Sequence, residues 1–401
     1  MRGKLALIGL LWMLAPIATA ADRSADFENL NDEYLAATKA FHDRPQIEKP
    51  TIADHIRRYE SWPGWDFARR FVALADAEPS DETAFRCCLW IIQLTTDSGN
   101  SDRAIFGADQ RVWEILAKHR SDRDELPMLC FNAAQYVGPA QEQFLRILLK
   151  RQHLSRESAG FATVALAELL AQKCEYLENP PTQATAAPGD DFMIYQDSRR
   201  ATDWGKDLVP ENLAKFKSEG IELFRDALVR YADIPVTISA PGFRNLKSLG
   251  EKAGKSLHAL EHLSLGAEAP ATVGTDFDSQ PLDLQRYRGR VVVLTFWNTG
   301  CSPCLAMIPQ EKRLIETYRD RPFALLGVCT DAELARGQQT AAAHQMTWPC
   351  WFDTANGPIA QAWNVLSLPT VIVLDEHGRI VAKNLRGEQL DAKVAELMRG
   401  K

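Results

Sequence analysis

An apolar, β-forming run, Val291-Val292-Val293-Leu294-Thr295-Phe296-Trp297, leads within four residues to Cys301-Ser302-Pro303-Cys304. Leu305 to Tyr318 follows with helical spacing. A strand that delivers a Cys-x-x-Cys onto the first turn of a helix suits reversible dithiol–disulfide chemistry. The helix N-terminus supplies unpaired N–H groups and partial positive charge, and both favour thiolate over thiol. Cys301 is therefore expected to be the nucleophile. Cys304, one turn further in, is expected to attack the mixed disulfide and release product.

The same spacing also holds zinc. A structural zinc site, however, needs a second ligand pair, such as another Cys-x-x-Cys or a spaced His pair. The chain has no second Cys-x-x-Cys, and its close His pair, His258 and His262, falls in a different predicted element. Redox chemistry is the expected use, with no cofactor and no metal.

The motif sits in a wider pattern. Leu294 to Pro309 resembles the thioredoxin-like redoxin family, and within it the exported TlpA-like thiol–disulfide oxidoreductases. The likeness spans about Leu265 to Met398. Gly266-Ala267-Glu268-Ala269-Pro270 and Leu284 to Gly289 resemble the family's opening hairpin. Ser367-Leu368-Pro369-Thr370, before Val371-Ile372-Val373-Leu374-Asp375, resembles its cis-proline loop, and Pro309 matches the proline that kinks the first helix. The resemblance implies a cis Leu368–Pro369 peptide, which proline makes accessible. It also implies that the Leu368 backbone pairs with an extended substrate beside the disulfide. Trp297 resembles the tryptophan packed beneath the active-site loop, a support rather than a reacting group. Gly300, where relatives often carry a bulky residue, is expected to open the approach to Cys301. Trp297, Gly300, Leu368 and Pro369 are thus the expected substrate surroundings of the catalytic pair Cys301 and Cys304.

Two positions depart from the pattern. Many relatives carry Glu three residues after the second cysteine, where this chain has Met307. Thioredoxins proper carry a buried Asp six residues before the first cysteine, where this chain has Thr295. Such acids move protons to or from the buried cysteine. Neither position supplies a proton acceptor for Cys304 here.

Arg2 and Lys4 precede an apolar stretch, Leu5 to Ile17, and Ala18-Thr19-Ala20 fits a cleavage site. The stretch is short for a membrane span, which needs about 20 residues. A signal peptide over 1–20 is expected, with export to the periplasm or a similar space, no membrane span after cleavage, and an uncleaved anchor as the lesser alternative. Outside the reducing cytosol disulfides persist. Besides the active pair, the eight cysteines include Cys87, Cys88, Cys130, Cys174, Cys329 and Cys350. Cys329 ends a predicted strand and so falls near the active face, where Cys350 is a conceivable partner. Two buried apolar thiols are the simpler expectation. Cys87 and Cys88 sit in a helical pattern and are expected in the core, because a vicinal disulfide there is strained.

The 401 residues exceed one small domain and suit two or three. A net charge of −7 gives no basic footprint for nucleic acid. From Asp26 to about His262 the chain reads as helix after helix: Phe67, Phe71 and Leu74 share a stripe, as do Val112, Ile115 and Leu116. Strong helical patterns cover Ser155 to Glu175, Leu213 to Tyr231 and Leu246 to Leu263. The expected architecture is multidomain: an all-α helical array over 21–264, compatible with a repeat-like arrangement, then an α/β thioredoxin-like fold over 265–401. The Pro/Ala/Thr-rich segment 179–190 is expected to be a loop. His258-Ala259-Leu260-Glu261-His262 matches the H-x-x-E-H of inverted zinc peptidases. A catalytic site needs a third protein ligand and a pocket, and so short a pattern arises often by chance, so a solvated helix face is preferred.

Two function classes fit. One is an exported thiol–disulfide oxidoreductase, most simply a reductase of protein disulfides, whose helical region selects the client. Its partners would be disulfide-bearing or dithiol client proteins and an exported or membrane thiol redox partner. The other is a protein-interaction scaffold whose thioredoxin-like part is mainly a binding fold. The intact cysteine pair argues against the scaffold, because binding requires neither cysteine. A peroxidase is disfavoured: the Thr that peroxiredoxins place three residues before their cysteine is Asn298 here.

Overall fold

The computed structural model describes residues 20–45, 51–97, 103–119, 126–135, 138–178, 207–236, 246–365 and 367–399. Residues 1–19 of the expected signal peptide (1–20) and the expected loop at 179–190 lie outside them, while residue 20 opens the first helix. The described N-terminal region is helical: α1 (Ala20–His42), α2 (Ile52–Glu60), α3 (Gly64–Ala77), α4 (Glu82–Asp97), α5 (Arg103–His119), α6 (Leu126–Gln135), α7 (Pro139–Leu149), α8 (Arg156–Glu178), α9 (Leu213–Arg230) and α10 (Leu249–His262).

Helix starts follow local chemistry. Ser155 Oγ accepts from Ser158 N–H at 3.1 Å ahead of α8. Ser248 caps α10 by accepting from Glu251 N–H at 3.3 Å, while Glu251 reaches back to Lys247 N–H at 3.0 Å. These caps place the start of α10 three residues later than apolar spacing alone suggests. The apolar stripes merge into one core running from Phe27 in α1 to Leu260 in α10, with Cys87, Cys88, Cys130 and Cys174 inside it. Helix α8 packs against α6, α7, α9 and α10. Its buried Lys173 is paired with Glu142 at 2.6 Å and Asp207 at 2.9 Å, so the charge is not left alone in the core.

The C-terminal region opens with a hairpin of β1 (Val273–Thr275) and β2 (Pro281–Asp283). Leu284–Tyr287, expected to belong to the hairpin, is instead a 3-10 turn started by the Asp283 carboxylate, which accepts from Gln285 N–H at 2.9 Å. Then come β3 (Val291–Trp297), α11 (Ser302–Thr317), β4 (Phe323–Cys329), α12 (Leu334–Ala343), β5 (Cys350–Phe352), α13 (Pro358–Ala362), β6 (Thr370–Leu374), β7 (Ile380–Lys383) and α14 (Gly387–Leu397). The five-stranded sheet has the order β5-β4-β3-β6-β7, with β3, β4 and β5 parallel and β6 and β7 antiparallel.

All seven residues of the central β3 are buried. The two-residue period sends Val291 and Val293 to a layer with Ile308 and Leu314 of α11 and Leu390 of α14. Val292, Leu294 and Phe296 go to the opposite layer with Trp351, Ile359 and Trp363. The helical region meets this unit through α10, whose Ala259 packs against the second layer. His258 Nε2 lies 3.1 Å from the Ala362 carbonyl, and Leu265 N–H donates to Glu178 at 3.2 Å. No helix among the described residues is long and apolar enough to cross a membrane.

Candidate active site

Strand β3 ends at Trp297 beside Cys329, the last residue of β4. The loop to α11 therefore emerges at the carboxyl ends of two parallel strands, where ligands of open α/β sheets collect. Cys301 is the N-cap of α11 and Cys304 lies in its first turn. The two form a disulfide, with S–S 1.98 Å and Cα–Cα 5.2 Å. Their exposure differs: Cys301 is half-buried, while Cys304 is buried. The Cys304 N–H donates to Cys301 Sγ at 3.2 Å, so an unpaired donor of the helix start is aimed at the outer sulfur.

The loop is held from below and from the side. Asp331, just past β4, accepts from Thr299 N–H at 3.2 Å and from Thr299 Oγ1 at 2.9 Å. Thr330 N–H donates to the Trp297 carbonyl at 2.9 Å. Gly300 is exposed, and a Cβ there would meet only Asn298 Oδ1, at 3.6 Å. Trp297 is buried in a cluster with Cys304, Cys329 and Cys350, bordered by Cys301 and Leu368. Its Nε1–H points at Cys350 Sγ, 3.3 Å away. Four cysteines thus share one small cluster, yet only Cys301 and Cys304 are bonded; Cys329 and Cys350 are free and buried. Burial pushes the Cys329 thiol up to about 12 and Cys350 higher still, which keeps both protonated and unreactive near neutral pH.

The peptide Leu368–Pro369 is cis. Pro369 is buried and its carbonyl accepts from Arg386 Nη2 at 3.0 Å, while Leu368 is half-buried. Among the described residues, the Leu368 backbone N–H and C=O have no hydrogen-bond partner. Strand, cysteine loop and proline loop therefore converge on one face.

The Redoxin family model matches residues 264–398. The thiol-disulfide oxidoreductase ResA of Geobacillus kaustophilus is 30% identical over 118 residues, covering 29% of this chain and 67% of that protein. The chain belongs to the redoxin family. ResA of Bacillus thuringiensis subsp. konkukian is 26% identical over 139 residues, 35% of this chain and 79% of that protein. A crystal structure of the thioredoxin domain of a thiol-disulfide oxidoreductase from Bacteroides vulgatus is 26% identical, with 34% of this chain and 98% of that one covered and a TM-score of 0.33. By class this redoxin is a thioredoxin-like thiol–disulfide oxidoreductase.

The redoxin site also contains two groups that sequence spacing did not single out. Asp331 pins the cysteine loop from the adjacent strand end, a relation visible only once β3 and β4 are paired. Glu311 is buried on α11, seven residues past Cys304. With Met307 it continues the inward stripe of Cys304 at helical spacing, and a carboxyl on an apolar stripe was the available signal. It lines a small cavity together with Thr295, Cys304, Met307, Met346 and Pro369. Burial raises its pKa from 4.5 to about 7, against the opposing hydrogen bond from Thr295. In the H-x-x-E-H stretch, the His258 and His262 rings lie 5.1 Å apart, and His258 faces the Ala362 carbonyl. Among the described residues no group of three His, Cys, Asp or Glu side chains is arranged to hold a metal ion.

Proposed function

We propose that this redoxin is an exported reductase of protein disulfides, with Cys301 and Cys304 as its redox pair. The single observation that carries the proposal is the asymmetry of the pair: an outer sulfur at the helix N-terminus, an inner one closed off beneath it. In the reduced protein the Cys301 thiolate attacks a client disulfide. A Cys301–client bond forms, the client S–S bond breaks, and one client thiolate leaves. Cys304 then attacks Cys301 Sγ, closing the internal disulfide and releasing the second client thiol. The client gains two electrons and two protons. A dithiol partner in the same compartment restores the pair by the reverse sequence.

Gly300 leaves the approach to Cys301 open, Trp297 supports the floor, and the unpaired Leu368 backbone beside Pro369 offers a strand edge to an extended client. We assign residues 21–264 to a helical domain and 265–401 to the thioredoxin-like domain. The helical domain positions the client: a groove runs between Gly254, Lys255 and His258 of α10 and Asn298, Asn364 and Leu368 of the redoxin domain, ending beside the cysteine loop. Export rests on the basic, apolar and small-residue pattern of the first 20 residues.

Equilibration of the protein against dithiothreitol or glutathione buffers tests direction. A potential near that of thioredoxin, about −270 mV, is expected; one near about −120 mV would make the protein an oxidant of its clients. Cys301→Ser is expected to abolish disulfide reduction, and Cys304→Ser to accumulate a Cys301-linked client. An unreactive Cys301 would overturn the enzymatic role.

A further inference from the structure

The two-step exchange leaves one proton without a destination. Cys304 is buried as a thiol in the reduced protein, and a thiol is a poor nucleophile until its proton leaves. Bulk water does not reach it readily, and Met307 and Thr295 offer no acid or base.

One ionisable group lines the same cavity. Glu311 and Cys304 both face a space of about 10 Å³, which is close to the minimum that holds a single water. In a regular helix seven residues span about 10 Å along the axis. The Glu311 side chain leans back toward the helix N-terminus, toward Cys304, and shortens that gap. A carboxyl 4% exposed, with no cationic partner among the described residues, is costly to keep in a core unless something uses it. Thr295 on β3 lines the same cavity, with its hydroxyl turned to the carboxyl as a hydrogen-bonding neighbour. The titratable groups facing it are Cys304 on its own helix and Cys350 on β5. Burial brings its pKa to about 7, so both the acid and the base form are present at neutral pH.

We propose that Glu311 is the proton acceptor for Cys304, acting through one water in the cavity between them, with Thr295 as the residue that positions and tunes its carboxyl. This rests on the reduction sequence given above. In the mixed disulfide, the Cys304 S–H proton passes to the Glu311 carboxylate as the Cys304 sulfur bonds to Cys301 Sγ and the client sulfur leaves with its electron pair. On re-reduction by a partner dithiol, the Cys304–Cys301 bond breaks and the carboxylic acid returns its proton to the Cys304 thiolate. Glu311 gains no electrons and is unchanged over a cycle.

The test uses Ellman's disulfide with the full-length reduced protein, followed by stopped flow. Attack by Cys301 releases one thionitrobenzoate, and attack by Cys304 on the resulting mixed disulfide releases the second. In Glu311→Gln the first phase is expected to keep its rate, while the second slows at least tenfold. Its pH dependence should move from a midpoint near that of the acid to one above the ordinary thiol value of about 8.5, because Cys304 is buried. Glu311→Asp should restore part of the second phase. Thr295→Val, which keeps the carboxyl but removes its hydroxyl donor, should shift the wild-type midpoint upward; it also serves if Glu311→Gln does not fold. A second phase with unchanged rate and unchanged midpoint in these variants overturns the assignment. Loss of the first phase in the wild type would instead sink the role of Cys301, a separate failure.

Discussion

At the scale of single residues, Glu311 affects folding as well as exchange. An unfolded chain ionises this carboxyl at its ordinary value of 4.5, whereas burial lifts it to about 7 in the folded protein. Between those values the folded state holds the proton and the unfolded state has released it. Stability therefore falls as pH rises across that window, and the loss is complete above it. A rise of that extent corresponds to about 3 kcal/mol, at roughly 1.4 kcal/mol per pH unit. Denaturant titrations of the oxidised protein at about pH 5 and about pH 8 should show wild type losing more stability than Glu311→Gln, by about that amount. Parallel pH profiles for the two proteins would mean that the carboxyl is not desolvated as the fold implies. Cys301 and Cys304 were legible from spacing alone because two cysteines on a helix start need no partner strand to be recognised. Glu311 was not singled out, since its meaning depends on what β3 and the proline loop lay over it.

At the scale of elements, the long apolar patterns gave helices and strands close to where they stand: β3 occupies Val291–Trp297, and α9 ends one residue before Tyr231. Short elements were less visible. Strand β5 has only three residues, Cys350–Phe352, and exists because Gly327 to Cys329 of β4 pair with it. No propensity over three residues encodes that. Helix α8 shows the other limit. Every residue from Gly160 to Ala167 is buried, so it has no polar face to betray its orientation. Gly160 lets neighbours come close to the helix backbone at one point. A Cβ there would lie 2.8 Å from Ile234 Cδ1, 3.0 Å from Leu249 Cδ1 and 3.1 Å from Tyr231 Cβ. The first two atoms end flexible side chains and can give way; the third is fixed to the backbone. Gly160→Ala is expected to be near neutral, because overlap offsets a helix-propensity gain of about 1 kcal/mol. Gly160→Val should destabilise by about 1–3 kcal/mol through overpacking. Chemical denaturation of both variants checks this, and a neutral Val variant would show that α9 and α10 are not seated against α8 so closely.

At the scale of the whole molecule, the helical region has a core of its own and the redoxin region has two sheet layers of its own. They meet along α10, which is also one wall of the groove leading to Asn298 and Leu368. If that groove holds clients, the helical region sets which proteins reach Cys301, while the chemistry of the pair stays the same. Gly254 offers a way to separate the two. It lines the groove, and a Cβ there would meet only Leu228 Cδ2 at 3.9 Å, so the helix tolerates a side chain that projects into open space. Gly254→Trp should leave exchange with Ellman's disulfide unchanged, because a small disulfide needs only the loop around Cys301. Reduction of a protein disulfide such as that of insulin should fall at least threefold, because an extended chain must cross the filled groove. An equal fall for both substrates would point to a disturbed fold. Equal, undiminished rates would remove α10 from the client path and leave the redoxin region to recognise proteins by the proline loop alone.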